Sequence, residues 1–301
     1  MHVAIIIISV ISALAAIYII MIKPRTGYPF PKELTAVDYA HRGIYDNEEG
    51  DGENTLSAFS SASAAGYGIE LDVRLSSDGK VVVFHDSTLD RLCKRTDRVD
   101  SLTAAELAGM KIGKNEGKIP LFEEVLENID PKTPLCVELK GDNIDTTLCK
   151  KVADILDRYE GIFSVESFNP FLLSWLRKNR PEYIRGQLVT DLFREKNTSL
   201  VIAFFCSNML LNCISRPDYI SCDVEHRKNL SVVICEHIFR STMFSWTVDT
   251  DEKYAEARMR GDVTIFQNIN PPIPRNGENN RRKQPKKTTG ENEGRTRSKK
   301  I

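Results

Sequence analysis

From about residue 135 onward the chain alternates short apolar, β-branched runs with helical repeats, and this alternation restricts the fold more than any other feature. Strand-like runs at 135–140, 162–168, 184–189, 219–224, 243–249 and 263–267 are separated by helical stretches at 146–159, 171–178, a region reaching about residue 212, 229–240 and 252–260. Parallel neighbours need a crossover of about a dozen residues, so the alternation calls for a parallel sheet covered by helices. Upstream, 36–43 reads as a strand ending in His41-Arg42-Gly43. Leu56, Phe59, Ala62 and Ala65 follow at helical spacing until Gly66, with Asn54 placed to cap them. With the run from 67, eight strands begin near residues 37, 67, 135, 162, 184, 219, 243 and 263. That count, in about 250 residues, is the size of a (β/α)8 TIM barrel. An open doubly wound sheet is the alternative, but no Gly-rich turn follows the first strand.

One stretch interrupts the alternation. Between Leu75 and Val81 there is no room for a crossover, so Glu70-Leu-Asp72-Val-Arg-Leu and Val81-Val-Val-Phe-His85-Asp86 form an antiparallel hairpin through Asp78-Gly79. Glu70 and Asp72, two apart on a strand, share a face. A loop of Ser76 to Gly79 sets His85 opposite Glu70, and a shorter loop sets it opposite Asp72. Residues 87–120 are polar and mixed, with a short helix near 103–108, and read as an insertion before a helix at 121–129.

The two ends differ from this middle. Residues 3–22 form an uncharged apolar run long enough to cross a bilayer. No Lys or Arg precedes it and it continues past Ala13-Leu14-Ala15, so an uncleaved transmembrane anchor over 1–22 is favoured over a signal peptide. Lys23 and Arg25 follow it and place the main domain in the cytoplasm of a single-pass membrane protein. Residues 23–35, rich in Pro and Gly, read as a linker to a barrel domain over 36–274. Seven scattered cysteines show no Cys-x-x-Cys pair and no metal-like spacing, which suits a reducing compartment. The tail 275–301 holds ten Lys and Arg against three Glu, about +7 of a whole-chain net charge of −1. It reads as a disordered basic segment, solvated or lying on anionic lipid beside the anchor, and no nucleic-acid partner is expected.

In a barrel of this kind, active sites sit at the C-terminal ends of the strands. His41 and Arg42 end the first strand, Glu70 and Asp72 lie on the second, Glu138 and Lys140 close the third, and Trp246 and Asp249 close the seventh. Carboxylates inside apolar runs must be paired or hold a cation. An all-oxygen set suits one hard divalent ion, Mg²⁺, Ca²⁺ or Mn²⁺. His41 and His85 suit acid and base work, and Arg42 with Lys140 suits an anion such as phosphate, which together suggest phosphodiester hydrolysis.

His-Arg-Gly, Glu53-Asn-Thr, Glu-x-Asp, the Asp-Gly turn with His-Asp, Glu-x-Lys, Ser167-Phe-Asn and Trp-Thr-Val-Asp occur in one order over about 36–270. In this the chain resembles the glycerophosphodiester phosphodiesterase family. Asp90-Arg91-Leu92 and Ile119-Pro-Leu-Phe-Glu-Glu-Val-Leu are similar to that family's insertion and returning helix. The resemblance implies a (β/α)8 barrel and metal-dependent hydrolysis of glycerophosphodiesters to glycerol phosphate and an alcohol. It assigns Glu70, Asp72 and Glu138 to the metal, His41 and His85 to proton transfer, and Arg42 and Lys140 to phosphate. Glu53 would support the site through hydrogen bonds to the substrate or to a group that touches it, and Phe168 and Trp246 would wall the substrate pocket or belong to the core. The chain departs from the family at Asp249, where Asn is usual, at Phe266-Gln-Asn-Ile, and in lacking a Thr before the Leu121 helix. The alternatives are cleavage of membrane lysophospholipids in the manner of a lysophospholipase D, and a non-catalytic, membrane-tethered binding module.

Overall fold

A computed structural model describes residues 1–272 except 116, 142–143 and 196–197; the basic tail therefore lies outside the described residues. Strands β1 (Tyr39–His41), β2 (Gly68–Leu75), β3 (Val81–Val83), β4 (Leu135–Leu139), β5 (Phe163–Ser167), β6 (Arg185–Val189), β7 (Tyr219–Asp223), β8 (Thr242–Val248) and β9 (Val263–Phe266) build the main sheet. All but β3 are parallel neighbours in chain order, and β1 pairs with both β9 and β2, so eight strands close into a barrel. The strand starts agree with those read from the sequence to within two residues. Around the barrel lie α2 (Leu56–Ala64), α3 (Phe122–Asn128), α4 (Thr147–Leu156), α5 (Pro170–Asn179), α6 (Leu200–Ser207), α7 (Leu230–His237) and α8 (Asp251–Arg260).

The period-two alternation of β2 divides the two cores. Ile69, Leu71 and Val73 face the helices, in one cluster with Phe59, Val125, Val137 and Val152. Glu70 and Asp72 take the alternate positions. Below them the barrel floor is filled by Tyr39, Tyr219 and Phe244, whose rings lie 4.4 Å (Tyr219 to Phe244) and 5.6 Å (Tyr39 to Phe244) apart. Gly186 makes room for this layer, since a Cβ there would overlap the Tyr219 ring.

The segment 23–35 is not a free linker. Phe30 packs edge-on against Tyr219 at 5.9 Å, and Leu34 is fully buried. Arg25 pairs with Asp218 at 3.2 Å and stacks on Tyr28. A barrel's open floor needs apolar side chains to close it, and Phe30 and Leu34 serve as that plug.

The hairpin forms in a register different from both expected ones. Leu75 pairs with Val81 and Val73 with Val83, so the loop is 76–80, with Gly79 at φ +72°. Strand β3 ends at Val83, and the Phe84 amide donates to the Asp72 carbonyl at 2.9 Å. His85 therefore lies beyond the paired ladder, facing neither Glu70 nor Asp72 across it. Its carbonyl is gripped by Arg74 Nε at 2.9 Å instead. The insertion packs Leu89, Val99, Leu107, Ile112 and Ile119 on Val82 and Phe84.

At the N-terminus, α1 (His2–Ile22) is long and apolar enough to cross a membrane. All seven cysteines are free, Cys136 and Cys222 among those buried in the barrel.

Candidate active site

Two neighbouring strands bring the acids together. Glu70 and Asp72 on β2 and Glu138 on β4 are buried, with carboxylate oxygens within 4.8 Å of one another. The register pairs Asp72 directly with Glu138. Arg42 and Lys140 are the cations among them. Lys140 Nζ is 2.7 Å from Glu138 Oε1 and 3.1 Å from Asp72 Oδ1, and Arg42 Nε is 3.4 Å from Asp72 Oδ2. Two cations do not balance three acids. Burial, then Asp72 and Glu138, push the Glu70 carboxyl well above the ordinary carboxylate range, and burial pushes Glu138 up to about 7. Burial works the same way on Asp72, but Lys140, His85 and Arg42 outweigh it and hold that carboxyl well below the ordinary range. Asp72 Oδ1 and Glu138 Oε1 are buried and both face Lys140 Nζ, so each oxygen keeps a further lone pair. An all-oxygen set short of positive charge, with free acceptor capacity, fits a hard divalent cation.

Each histidine is held by a different kind of partner. His41 Nδ1 lies 2.8 Å from Gln267 Oε1, which assigns its proton to Nδ1 and leaves Nε2 bare, 3.9 Å from Glu70 Oε2. Burial and the Arg42 charge lower its pKa to about 3. His85 Nδ1 lies 2.6 Å from the Asp86 carboxylate. Burial lowers its pKa as well, with Asp72 and Asp86 opposing. The sequence departure at Gln267 thus falls on the residue that sets the His41 tautomer.

Glu53 is buried, and both its carboxylate oxygens are engaged by protein donors. Oε1 accepts from Arg42 Nη1 and Arg91 Nη2, and Oε2 from Asn47 Nδ2 and Arg91 Nη1, at 2.7–2.8 Å. Burial opposes its ionisation, yet Arg91 and Arg42 bring its pKa down to about 2. It holds the Arg42 guanidinium by a direct ion pair. Arg91 continues the chain of charges, with Nε 2.7 Å from Asp86 Oδ2. The insertion therefore ties the support of Arg42 to the support of His85. Arg91→Ala, at a half-exposed position, should leave the circular dichroism spectrum unchanged and lower kcat/KM about 10- to 100-fold, the range seen when partners that orient metal-site groups are removed.

Asn54 is not the helix cap. Thr55 caps α2 by accepting from the Ala58 amide, and Asn54, at φ +57°, donates to Asp72 Oδ2 at 2.8 Å. Asn tolerates that left-handed conformation better than most residues, which fits it to aim an amide at the acid. Trp246 stands half-buried beside Phe168, edge-on at 5.5 Å, and its buried Nε1 has no hydrogen-bond partner among the described residues. Asp249 lies outside the cluster in an exposed pair with Lys253 at 2.8 Å. Glu166, whose strand position pairs with Glu138, is buried and accepts from Tyr219 Oη at 3.0 Å. No sequence pattern had singled it out.

A barrel whose mouth carries three buried acids, two histidines and two cationic side chains is an arrangement suited to phosphodiester hydrolysis. The glycerophosphoryl diester phosphodiesterase family model matches residues 41–266, and the chain belongs to that family. A glycerophosphodiester phosphodiesterase of Caldanaerobacter subterraneus is 35% identical over 162 residues, covering 50% of this chain and 65% of that protein. The mouse lysophospholipase D GDPD1 is also 35% identical, over 172 residues, covering 53% of this chain and 49% of that protein. The matched segments thus span less than two thirds of either relative. Among solved structures, the glycerophosphodiester phosphodiesterase of Thermotoga maritima superposes with TM-score 0.59 at 29% identity, covering 76% of this chain and 94% of that one. An Oleispira antarctica phosphodiesterase, solved with sn-glycerol-3-phosphate, shares the fold with TM-score 0.62 at 22% identity, covering 76% and 91%.

Proposed function

We propose that this chain hydrolyses glycerophosphodiesters to glycerol phosphate and an alcohol with one divalent ion, Mg²⁺, Ca²⁺ or Mn²⁺, held by Glu70, Asp72 and Glu138. The convergence of those three buried acids between two differently supported histidines carries the reading. When bound, the ion supplies Lewis-acid polarisation of the phosphoryl group. Arg42 and Lys140 add positive charge where a phosphate would sit.

His41, neutral with a bare Nε2, takes the proton from the attacking oxygen. That oxygen belongs to water or to the glycerol 2-hydroxyl. As the P–O bond to the alcohol breaks, His85, whose imidazolium the Asp86 carboxylate stabilises, gives its proton to the departing oxygen. When the 2-hydroxyl attacks, a cyclic phosphate forms and water then opens it, with the two histidines exchanging roles.

The test is purified full-length chain in detergent with glycerophosphocholine. Glycerol phosphate should be released, the rate should fall to background on chelation, and it should return with one of the three ions. Full activity after exhaustive chelation would remove the metal from the proposal, and failure to cleave any of a broad diester panel would remove the enzyme.

A further inference from the structure

We propose that the barrel stands on a lipid bilayer with its C-terminal mouth against the membrane, held there by α1 and by an apolar rim on α6. The first observation is the direction of α1. Its last residue, Ile22, is buried, and its carbonyl accepts from Asn212 Nδ2 at 3.0 Å and from Cys235 Sγ. One turn earlier, Tyr18 Oη bonds to Ser231 Oγ at 2.8 Å. Ser231 lies in the first turn of α7, just after the mouth end of β7, and Cys235 lies one turn further from the mouth. Beyond Ile22 the chain reaches the barrel floor, where the Arg25 amide bonds to the Pro217 carbonyl. So α1 descends beside α7 from mouth to floor, and its residues 2–17, all exposed, extend about 24 Å past the mouth at 1.5 Å per residue.

The second observation is the rim. Helix α6 follows the mouth end of β6, and its Ser207 is tied by Oγ to the Leu192 amide and by its carbonyl to His226, both just past strand ends. On it Leu200, Val201, Ile202 and Phe204 are 75, 67, 54 and 52% exposed, and Leu230 at the start of α7 is 63% exposed. A cluster of large apolar side chains left in water on one edge marks a contact surface.

The occupant follows from α1. Its apolar run reaches Ile22, which is already docked on the barrel, and no charge, glycine or proline from residue 3 to residue 22 provides a spacer. The hydrocarbon boundary that the exposed part of α1 requires therefore falls near Tyr18, at the level of Leu230 and the rim. A tyrosine at that level matches the aromatic belt of membrane interfaces. The exposed rim then enters the same interface, as amphipathic surface helices do. The active-site mouth opens towards the leaflet, and the diester it receives is one whose single acyl chain stays among the lipids. This last step rests on the phosphodiesterase reading above, whereas the docking geometry does not.

The test uses full-length chain reconstituted in phosphatidylcholine vesicles. Tryptophan fluorescence of the Phe204→Trp protein should be quenched by lipids brominated near the headgroup, beyond the quenching of the parent. Val201→Asp combined with Phe204→Asp should lower the rate on lysophosphatidylcholine in vesicles at least tenfold and leave the rate on soluble glycerophosphocholine within twofold. Absence of added quenching in a vesicle-bound preparation overturns the docking, as does a dimer that buries the rim against a second copy. Equal losses on the two substrates, or none, overturn delivery from the leaflet. If the parent cleaves neither substrate, the phosphodiesterase reading falls while the quenching still decides the docking.

Discussion

Asp72→Asn should lower kcat/KM on glycerophosphocholine about a thousand-fold while leaving the barrel folded. Asp72 is fully buried and is the acid most firmly held in its charged form, with Lys140 at 3.1 Å and Asn54 Nδ2 at 2.8 Å on its two oxygens. An amide keeps the size and most of the shape but removes the charge. Polarisation by a bound metal contributes several kcal/mol to a phosphoryl transition state, and about 4 kcal/mol corresponds to a thousand-fold. The substitution also leaves Arg42 and Lys140 nearer to balance with Glu70 and Glu138, so thermal unfolding followed by circular dichroism should change less than activity does. Asp249→Asn, in its exposed pair with Lys253, is the matched control and should be active. Activity of the Asp72 variant within tenfold of the parent, in the presence of saturating metal, would mean that this carboxylate holds no ion.

The fold was legible because it is written in periods. Strand and helix alternate with their own spacings, and the sequence alone carries eight countable strand starts. Glu70, Asp72 and Glu138 stood out for the same reason, as acids inside runs that burial should keep apolar. Most of what escaped lies in loops, where no period exists. The loop 76–80 has one residue more than expected, and that difference moved His85 off the ladder. Gln267 and Arg91 reach across the mouth from loops far along the chain from their partners His41 and Glu53, so nothing local in the sequence announces their pairing. Asn54 carried two compatible readings, and the choice was made by Thr55, which is also a good cap and takes the helix end. Phe30 and Leu34 read as linker residues because sealing a barrel floor is a tertiary demand on a segment with no secondary structure signal of its own.

The two histidines should be separable by leaving group. His85 has a carboxylate 2.6 Å from Nδ1, and His41 has a neutral amide oxygen at 2.8 Å. An anion beside Nδ1 opposes the lowering by burial, so of the two rings His85 is the better suited to hold a proton until the leaving oxygen needs it. The Gln267 carbonyl carries no such charge, and His41 is left as the base. Choline departs as an alkoxide and must be protonated, whereas p-nitrophenolate departs as a stable anion. His85→Ala should therefore slow glycerophosphocholine by about 10²- to 10⁴-fold, the usual contribution of a positioned acid, and slow glycerol p-nitrophenyl phosphate far less. His41→Ala should slow both substrates by a similar factor, since the attacking oxygen must lose its proton in either case. Asp86→Asn should behave as a weaker His85→Ala, with the same preference for the aryl substrate, because it removes the charge that favours the imidazolium and leaves the ring in place. If the aryl substrate rescues the His41 variant instead, the base and the acid exchange names, and the hydrogen-bond partner of a histidine in this site does not set its role.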